Sequence, residues 1–351
     1  MTQRILLLTP RFYGIERKIT EALFKLNYEV CWIENKTFMM DFHSVESKLK
    51  LLRQIYFFFF SPRINYIRRE LNKLVNIHFD ILLSINANVA CKYLFRKLRR
   101  ENPDLLSILY LWDSTLHYSW IKEFKYFNRI ITFDKADSEK YKIEYKPNFY
   151  IDFTGDLHSE MQHDLFFIGK YNYSRLLALD QIIALLKKTD VQFCIRLWPS
   201  YRIFLHNRFI YNFLKHRWFS GKWIKTYLFN FEAIEGILKR DYFIAENIEY
   251  DLIQRQMINA NVILDLPLPE QVGYTHRVIE ALANGKKIIT TNKNICKEPF
   301  FNLDQVRIID PENLLMDFNW IKERSFYTVD SNISCLELSQ WLISVLDVKV
   351  A

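Results

Sequence analysis

The sequence predicts an α/β protein built from two consecutive α/β domains. Short runs of apolar residues alternate with helical periodicity on both sides of a segment without periodicity, residues 148–163. Such alternation is typical of parallel sheets covered by helices. The chain has 351 residues, half of them apolar, which is enough for two cores. We predict an N-terminal domain at 1–150, a C-terminal domain at 151–333, and a C-terminal helix at 334–351 that packs back towards the first domain.

The first domain is predicted from five apolar runs of strand length. Helices are predicted where apolar residues recur three or four positions apart. The predicted strands are 5–8, 29–33, 80–85, 106–111 and 130–133, and the predicted helices are 17–26, 44–75, 89–100 and 135–142.

The second domain begins after the non-periodic segment. Its predicted strands are 164–168, 192–197, 262–264 and 287–291, its predicted helices are 173–188 and 275–283, and the final helix covers about 334–347. The order strand, loop, helix, strand at 262–291 is typical of a parallel βαβ half-unit. In such units ligands bind where strand carboxyl ends meet helix amino ends.

The composition favours a cytoplasmic protein with an anionic partner. Lys and Arg number 48 against 40 Asp and Glu, which gives a net charge of +8; this suits a nucleotide, a nucleic acid or a membrane surface alike. The five cysteines show no Cys-x-x-Cys or Cys/His metal spacing, which indicates a reducing compartment. The first apolar run is too short for a signal peptide, and no apolar stretch has the length of a membrane span.

The start of the predicted helix 275–283 is a candidate anion site. Glycine is scarce in this chain, with 7 residues in 351, and a glycine before the helix lets the backbone approach a ligand. The helix start offers N–H groups and the positive dipole end, and a guanidinium there can fork onto phosphate oxygens. An ordinary capped helix would show the same pattern. The candidate diphosphate residues are Gly273, Tyr274, Thr275, His276 and Arg277.

The end of the predicted strand 106–111 offers a candidate general base. Asp113 follows this strand, where a carboxylate can accept the proton of an acceptor hydroxyl. His117 is a second candidate and Glu16 a weaker one. An Asp after a strand is also a common helix cap, so both interpretations of Asp113 stay open.

Several segments resemble bacterial capsule and lipopolysaccharide glycosyltransferases related to the spore-maturation-protein type. They are QVGYTHRVIEALANGKKIITTN (271–292), YLWDS (110–114), FNRIITFDKADSEKY (127–141), KPNFY (146–150) and DLFFIGKYNYSR (164–175). The resemblance implies the GT-B architecture, in which two Rossmann-like domains face a cleft. The first domain would hold the acceptor and the second a nucleotide-diphosphate-sugar donor.

The resemblance also implies roles for single residues. Glu280 would bind the donor ribose, and the loop with Gly169, Lys170 and Arg175 would grip the pyrophosphate. Fixed cations would then stabilise the leaving group in place of a metal, and no Asp-x-Asp motif occurs. We therefore expect no metal and no cofactor beyond the donor substrate. A pair of Arg277 with Glu280 within the helix, and a solvated turn at 169–175, are the structural alternatives.

The first glutamate of the Glu-x7-Glu pair found in many retaining GT-B families would fall at Val272. This departure puts a retaining mechanism in doubt without excluding it.

Two stretches combine basic and aromatic residues. Residues 47–73 carry seven Lys or Arg against one acidic residue, and residues 196–225 carry seven with none. Such mixtures suit an anionic bilayer surface, although core aromatics with cations outside would look alike. Peripheral contact with the inner face of the plasma membrane is expected, and no nucleic acid.

The predicted function is sugar transfer to a saccharide or lipid-linked acceptor in cell-surface polysaccharide or lipopolysaccharide biosynthesis. Two alternatives stay open. One is a sugar-nucleotide epimerase of the same fold, and the other is a non-catalytic basic protein that binds membrane or nucleic acid.

Overall fold

The first sheet is formed by six strands that are parallel throughout. A computed structural model describes residues 2–36, 61–116, 120–153, 161–198, 240–244 and 248–347. The strands are β1 (Arg4–Thr9), β2 (Glu29–Glu34), β3 (Ile81–Ile85), β4 (Leu106–Leu111), β5 (Arg129–Thr132) and β6 (Glu144–Tyr145). Their order across the sheet is β2-β1-β3-β4-β5-β6. Within β1, residues 5–8 have no exposed surface, as expected for parallel strands covered on both faces.

In the described part of this segment, four α-helices lie between the strands. They are α1 (Ile15–Lys25), α2 (Pro62–Asn72), α3 (Lys92–Glu101) and α4 (Lys135–Tyr141). The start of α2 follows from its sequence, because the Ser61 side chain accepts a hydrogen bond from the Ile64 N–H and Pro62 occupies the first helical position. Of the predicted helix 44–75, residues 44–60 lie outside the described residues.

The second sheet is also parallel and has five strands. They are β7 (His163–Lys170), β8 (Phe193–Trp198), β9 (Ala260–Asp265), β10 (Lys287–Thr290) and β11 (Val306–Ile308). Their order is β11-β10-β9-β7-β8. Among the described residues that follow β7, up to residue 330, the α-helices are α5 (Tyr173–Leu186), α6 (Tyr250–Ile258), α7 (His276–Ala283) and α8 (Phe318–Lys322). The predicted α/β class with two parallel sheets is confirmed.

Two buried lysines at the start of β10 have structural partners. The Lys286 ammonium donates to the carbonyl of Ile258 at the end of α6, and that of Lys287 donates to Trp320 O of α8 at 2.8 Å. A cation at a helix carboxyl end complements the helix dipole. Burial lowers the pKa of Lys286 to about 8. These two positive charges therefore serve the fold.

The end of the chain belongs to the unit of the first sheet. Helices α9 (Ser331–Ser334) and α10 (Leu338–Leu346) lie here. Trp341 of α10 has no exposed surface, donates through Nε1 to Pro147 O at 3.0 Å, and packs edge-on against Tyr110 with ring centroids 4.6 Å apart. The apolar face of the last predicted helix is thus buried in the core of this unit.

The two units have boundaries that differ from the predicted domains at one segment. The first unit consists of Met1–Asp152, Gln271–Glu280 and Ser331–Ala351, and the second of Phe153–Glu270 and Ala281–Asp330. The predicted domain at 151–333 includes 271–280. The structure groups this segment with the first sheet because the side chains of Asp134 and Asn148 hydrogen-bond to its backbone.

Candidate functional site

Asp113 lies half-buried two residues after the end of β4, at the carboxyl edge of the first sheet. Its Oδ2 accepts a hydrogen bond of 2.8 Å from Nδ2 of Asn86, which directly follows β3. Because β3 and β4 are neighbours in the sheet, an amide from one loop orients the carboxylate of the next. The candidate base therefore has a defined orientation at the edge where parallel sheets bind ligands.

Asn86 is itself held at several points. Its backbone has φ 59°, in the left-handed region that asparagine tolerates better than most residues. Its N–H donates to Tyr110 O at 2.8 Å, and its Oδ1 accepts from the Trp112 N–H at 3.2 Å. The Asn86 side chain thus accepts from the backbone just after β4 and donates to Asp113.

A second asparagine, Asn35, supports the same loop. It follows β2, is fully buried, and donates through Nδ2 to Ile85 O at 2.6 Å and Asn86 O at 2.9 Å. Its Oδ1 accepts from the Val89 N–H at 2.8 Å. Sequence analysis did not identify Asn35 or Asn86. The available signal was an amide residue directly after a buried strand in each case.

The two other base candidates have different outcomes. Glu16 accepts a hydrogen bond of 3.1 Å through Oε2 from the Phe12 N–H, so its carboxylate closes the turn before α1. His117 lies outside the described residues.

A buried carboxylate from the loop before α4 binds the turn before α7. Oδ2 of the fully buried Asp134 accepts hydrogen bonds from the N–H groups of Val272 and Gly273, at 3.2 and 3.1 Å. Its Oδ1 accepts from the Ala136 N–H at 2.9 Å and caps α4. The backbone amide of Gly273, a predicted diphosphate residue, is therefore engaged within the protein, as is that of Val272.

Close packing explains the glycine at position 273. A Cβ there would lie 2.6 Å from Cε2 and 2.9 Å from the carbonyl oxygen of Phe133. No side chain fits at these distances without displacing Phe133. The scarce glycine predicted to admit a ligand therefore admits an aromatic ring of the protein.

His276, the first residue of α7, is an uncharged member of the predicted site. Its Nδ1 lies 3.1 Å from Phe149 O, and since a carbonyl only accepts, Nδ1 carries the proton. Burial, with a smaller effect from Arg277, lowers the pKa of His276 to about 4. At neutral pH the imidazole adds no positive charge.

The remaining residues of this segment differ in exposure. Tyr274 is buried, and its carbonyl accepts a hydrogen bond of 2.9 Å from Asn148 Nδ2. The carbonyl of Thr275 accepts a hydrogen bond of 3.1 Å from the Val278 N–H, where α7 begins. Arg277 is half-buried, and Glu280 is only 4% exposed. Glu280, the residue predicted to bind the ribose, is thus a buried side chain.

Arg175 lies at the carboxyl edge of the second sheet. It stands in the first turn of α5 and is 8% exposed. Its Nε and Nη2 donate to Leu266 O, just after β9, at 2.9 and 2.7 Å, and its Nη1 donates to Lys170 O at the end of β7. The guanidinium joins the ends of two neighbouring strands.

The other residues of this edge are arranged around the same strand ends. Gly169 lies inside β7, paired in register with Leu197, and Lys170 is exposed. Asp265, at the end of β9, is buried and accepts a hydrogen bond of 3.0 Å from Thr290 Oγ1 at the end of β10. Sequence analysis did not identify Asp265.

The described part of the chain lacks two features, a metal-binding cluster and a membrane-spanning helix. No group of three or more His, Cys, Asp or Glu residues there is placed to hold a metal ion. Over the same residues, no helix combines the length and apolarity that crossing a bilayer requires.

Comparison with known proteins gives structural likeness alone. No family model and no curated protein matches the sequence. Among solved structures, the chain is similar to the apo form of the lipopolysaccharide outer core galactosyltransferase WaaB, with 13% identity, 82% of this chain and 80% of that chain covered, and a TM-score of 0.41.

Two further structures show a similar degree of likeness. They are UGT89C1 of Arabidopsis thaliana complexed with UDP, with 9% identity, coverage of 82% and 80%, and a TM-score of 0.42, and CalG4, the calicheamicin glycosyltransferase, with 12% identity, coverage of 82% and 79%, and a TM-score of 0.33. At TM-scores below 0.5 these likenesses assign no activity to this chain.

Proposed function

We propose that this protein is a glycosyltransferase that moves a sugar from a nucleotide-diphosphate donor to a hydroxyl of a saccharide or lipid-linked acceptor. Cell-surface polysaccharide or lipopolysaccharide assembly is the proposed setting. The donor is the only small molecule required besides the acceptor, with neither metal nor further cofactor.

The observation that carries the proposal is the buried guanidinium of Arg175. It lies at the carboxyl edge of a parallel sheet, where ligands of such sheets bind. Its bonds to Leu266 O and Lys170 O fix its orientation before any ligand arrives. A preorganised cation stabilises the charge that develops as a nucleoside diphosphate departs. We propose that Gly169, Lys170 and Arg277 complete the diphosphate site and that Glu280 binds the ribose.

The acceptor side of the proposal rests on Asp113. A general base must take the proton of the attacking hydroxyl, and an oriented, half-buried carboxylate at a sheet edge suits that task. In this mechanism the acceptor oxygen attacks the anomeric carbon, the bond to the diphosphate breaks, and the proton passes to Asp113. His117 remains a proposed second group.

The two alternatives make different demands. An epimerase needs acid and base groups around the donor sugar and no acceptor, so products formed from donor alone would favour it. A non-catalytic binding protein needs neither Asp113 nor the buried Arg175. We favour transfer because it gives both residues a role.

Nucleoside diphosphates test the donor site. Addition of the correct nucleotide at about 100 times its Kd should stabilise the folded protein by about 2.7 kcal/mol, which differential scanning fluorimetry detects as a rise in Tm. Arg277→Ala should lose most of this rise, because a forked cation is removed. Arg324→Ala, a change at an exposed arginine, is the matched control. Absence of any rise with all common nucleoside diphosphates would contradict the proposal.

We further propose peripheral contact with an anionic membrane through α2 and α3. Exposed cations line these two packed helices, and the Arg68 guanidinium lies 5.5 Å from the ring centroid of Tyr93. Basic side chains interleaved with aromatic rings suit a headgroup layer. Residues 47–60 and 199–225 of the two basic stretches lie outside the described residues.

Vesicle sedimentation tests this contact. The triple variant Arg68→Glu, Lys92→Glu, Arg96→Glu should weaken binding to phosphatidylserine vesicles about tenfold or more, and added salt should weaken binding of the unaltered protein. The triple variant Lys187→Glu, Lys188→Glu, Lys293→Glu changes the net charge equally at other exposed lysines. Equal losses in both variants would show that net charge, and not this face, determines binding.

A further inference from the structure

We propose that Asn86 is a positioning residue that orients the Asp113 carboxylate and holds it in its charged form for the acceptor hydroxyl. The inference rests on the proposed function in taking Asp113 as the base. Asn86 touches neither donor nor acceptor in this scheme and acts only through Asp113.

The first argument is the direction of the hydrogen bond. Asn86 Oδ1 accepts from the Trp112 N–H at 3.2 Å, which identifies the other terminal atom as the amide nitrogen. That nitrogen then faces Asp113 Oδ2 at 2.8 Å as a donor. A donor stabilises an ionised carboxylate over a protonated one, so the contact favours the form that accepts a proton.

The second argument is the rigidity of Asn86. Its backbone carbonyl accepts from Ser84 Oγ at 2.6 Å and from Asn35 Nδ2 at 2.9 Å, and its N–H donates to Tyr110 O at 2.8 Å. Ser84 and Asn35 are fully buried, and Asn86 is 3% exposed. Such support holds a side chain in one geometry, as a preorganised site requires.

The backbone of Asn86 allows the amide to be tested apart from its shape. At φ 59° both glycine and aspartate are tolerated. Asn86→Asp keeps the shape and the acceptor for Trp112 and exchanges only the donor for an anion. Asn86→Gly removes the whole side chain without backbone strain. Asn76, exposed and with φ 67°, offers the same two substitutions as matched controls.

The first readout needs no substrate. Carbodiimide and an amine label carboxyl groups, and peptide mass spectrometry measures the labelling rate of Asp113 at pH 6. We expect this rate to rise about threefold or more in Asn86→Gly, and further in Asn86→Asp, where two carboxyl groups adjoin. Both Asn76 variants should match the unaltered protein. An unchanged Asp113 rate in both Asn86 variants would overturn the inference.

The second readout is sugar transfer. Loss of one hydrogen bond to a charged group should lower kcat about tenfold, with the KM for the donor unchanged. A merely structural residue would let Asn86→Asp behave like the unaltered protein, and that result would overturn the inference. If the unaltered protein transfers no sugar from any donor while the labelling rates respond as expected, the proposed function fails and the positioning of Asp113 by Asn86 stands.

Discussion

Replacing Asp113 with asparagine is expected to lower the rate of sugar transfer about 100- to 10,000-fold, the usual contribution of a general base. The substitution keeps the shape of the side chain and an oxygen that can accept the hydrogen bond from Asn86. It removes the negative charge and with it the capacity to take a proton. Initial rates of product formation, measured by mass spectrometry with donor and acceptor saturating, give the comparison.

The control for this variant is another carboxylate on the same sheet. Asp104 is exposed in the turn before β4, whereas Asp113 follows β4. Asp104→Asn therefore makes the same chemical change away from the carboxyl edge of the sheet. It should leave the rate unaltered. Nucleotide affinity should be unaltered in both variants, because the base acts on the acceptor. If Asp113→Asn keeps full activity, the base is another group, and His117 is the next candidate.

Replacing Arg175 with methionine should affect both folding and donor binding. The change leaves the carbonyls of Leu266 and Lys170 without the three hydrogen bonds that the guanidinium donates. Leaving a buried polar group unpaired costs about 1–3 kcal/mol, and the Leu266 carbonyl is buried, so the free energy of unfolding should fall by about 1–3 kcal/mol. Urea denaturation followed by circular dichroism measures this loss.

Nucleotide titration of the same variant tests the second role of Arg175. Removal of a preorganised cation should weaken nucleoside diphosphate binding about tenfold or more under conditions where the variant is folded. Arg255→Met, at an exposed position of α6, is the matched control and should alter neither quantity. A destabilised variant with unaltered nucleotide affinity would show that Arg175 only joins β7 to β9.

The fold was largely predictable because the parallel strands carry their own signal. Strands covered on both faces are apolar along nearly their whole length, and the run at 5–8 has this property. The structure extends or trims them by a residue or two, as with β1 at Arg4–Thr9. The position of residues 271–280 was not predictable in this way, since local periodicity does not state which core a segment joins.

The candidate site stays a prediction, but the structure shows contacts for its residues that differ from the ones expected. Gly273 was predicted to make room for a ligand, and it makes room for Phe133. His276 was predicted to help bind an anion, and burial keeps it neutral, with a pKa of about 4. Scarcity and charge type drew attention to this segment, but the partners of its side chains come from elsewhere in the chain and were not predictable from it.

The amino-acid sequence by itself indicated where most of the described strands and helices form, because the apolar period that produces them is local. The tertiary structure alone decided the partners of the polar side chains. The hydrogen-bonded residues are far apart in the sequence: Asp113 and Asn86 are separated by 27 positions, Arg175 and Leu266 by 91, and Asp134 and Gly273 by 139. A buried polar group must find a hydrogen-bond partner, and packing in three dimensions, which no local pattern encodes, supplies it.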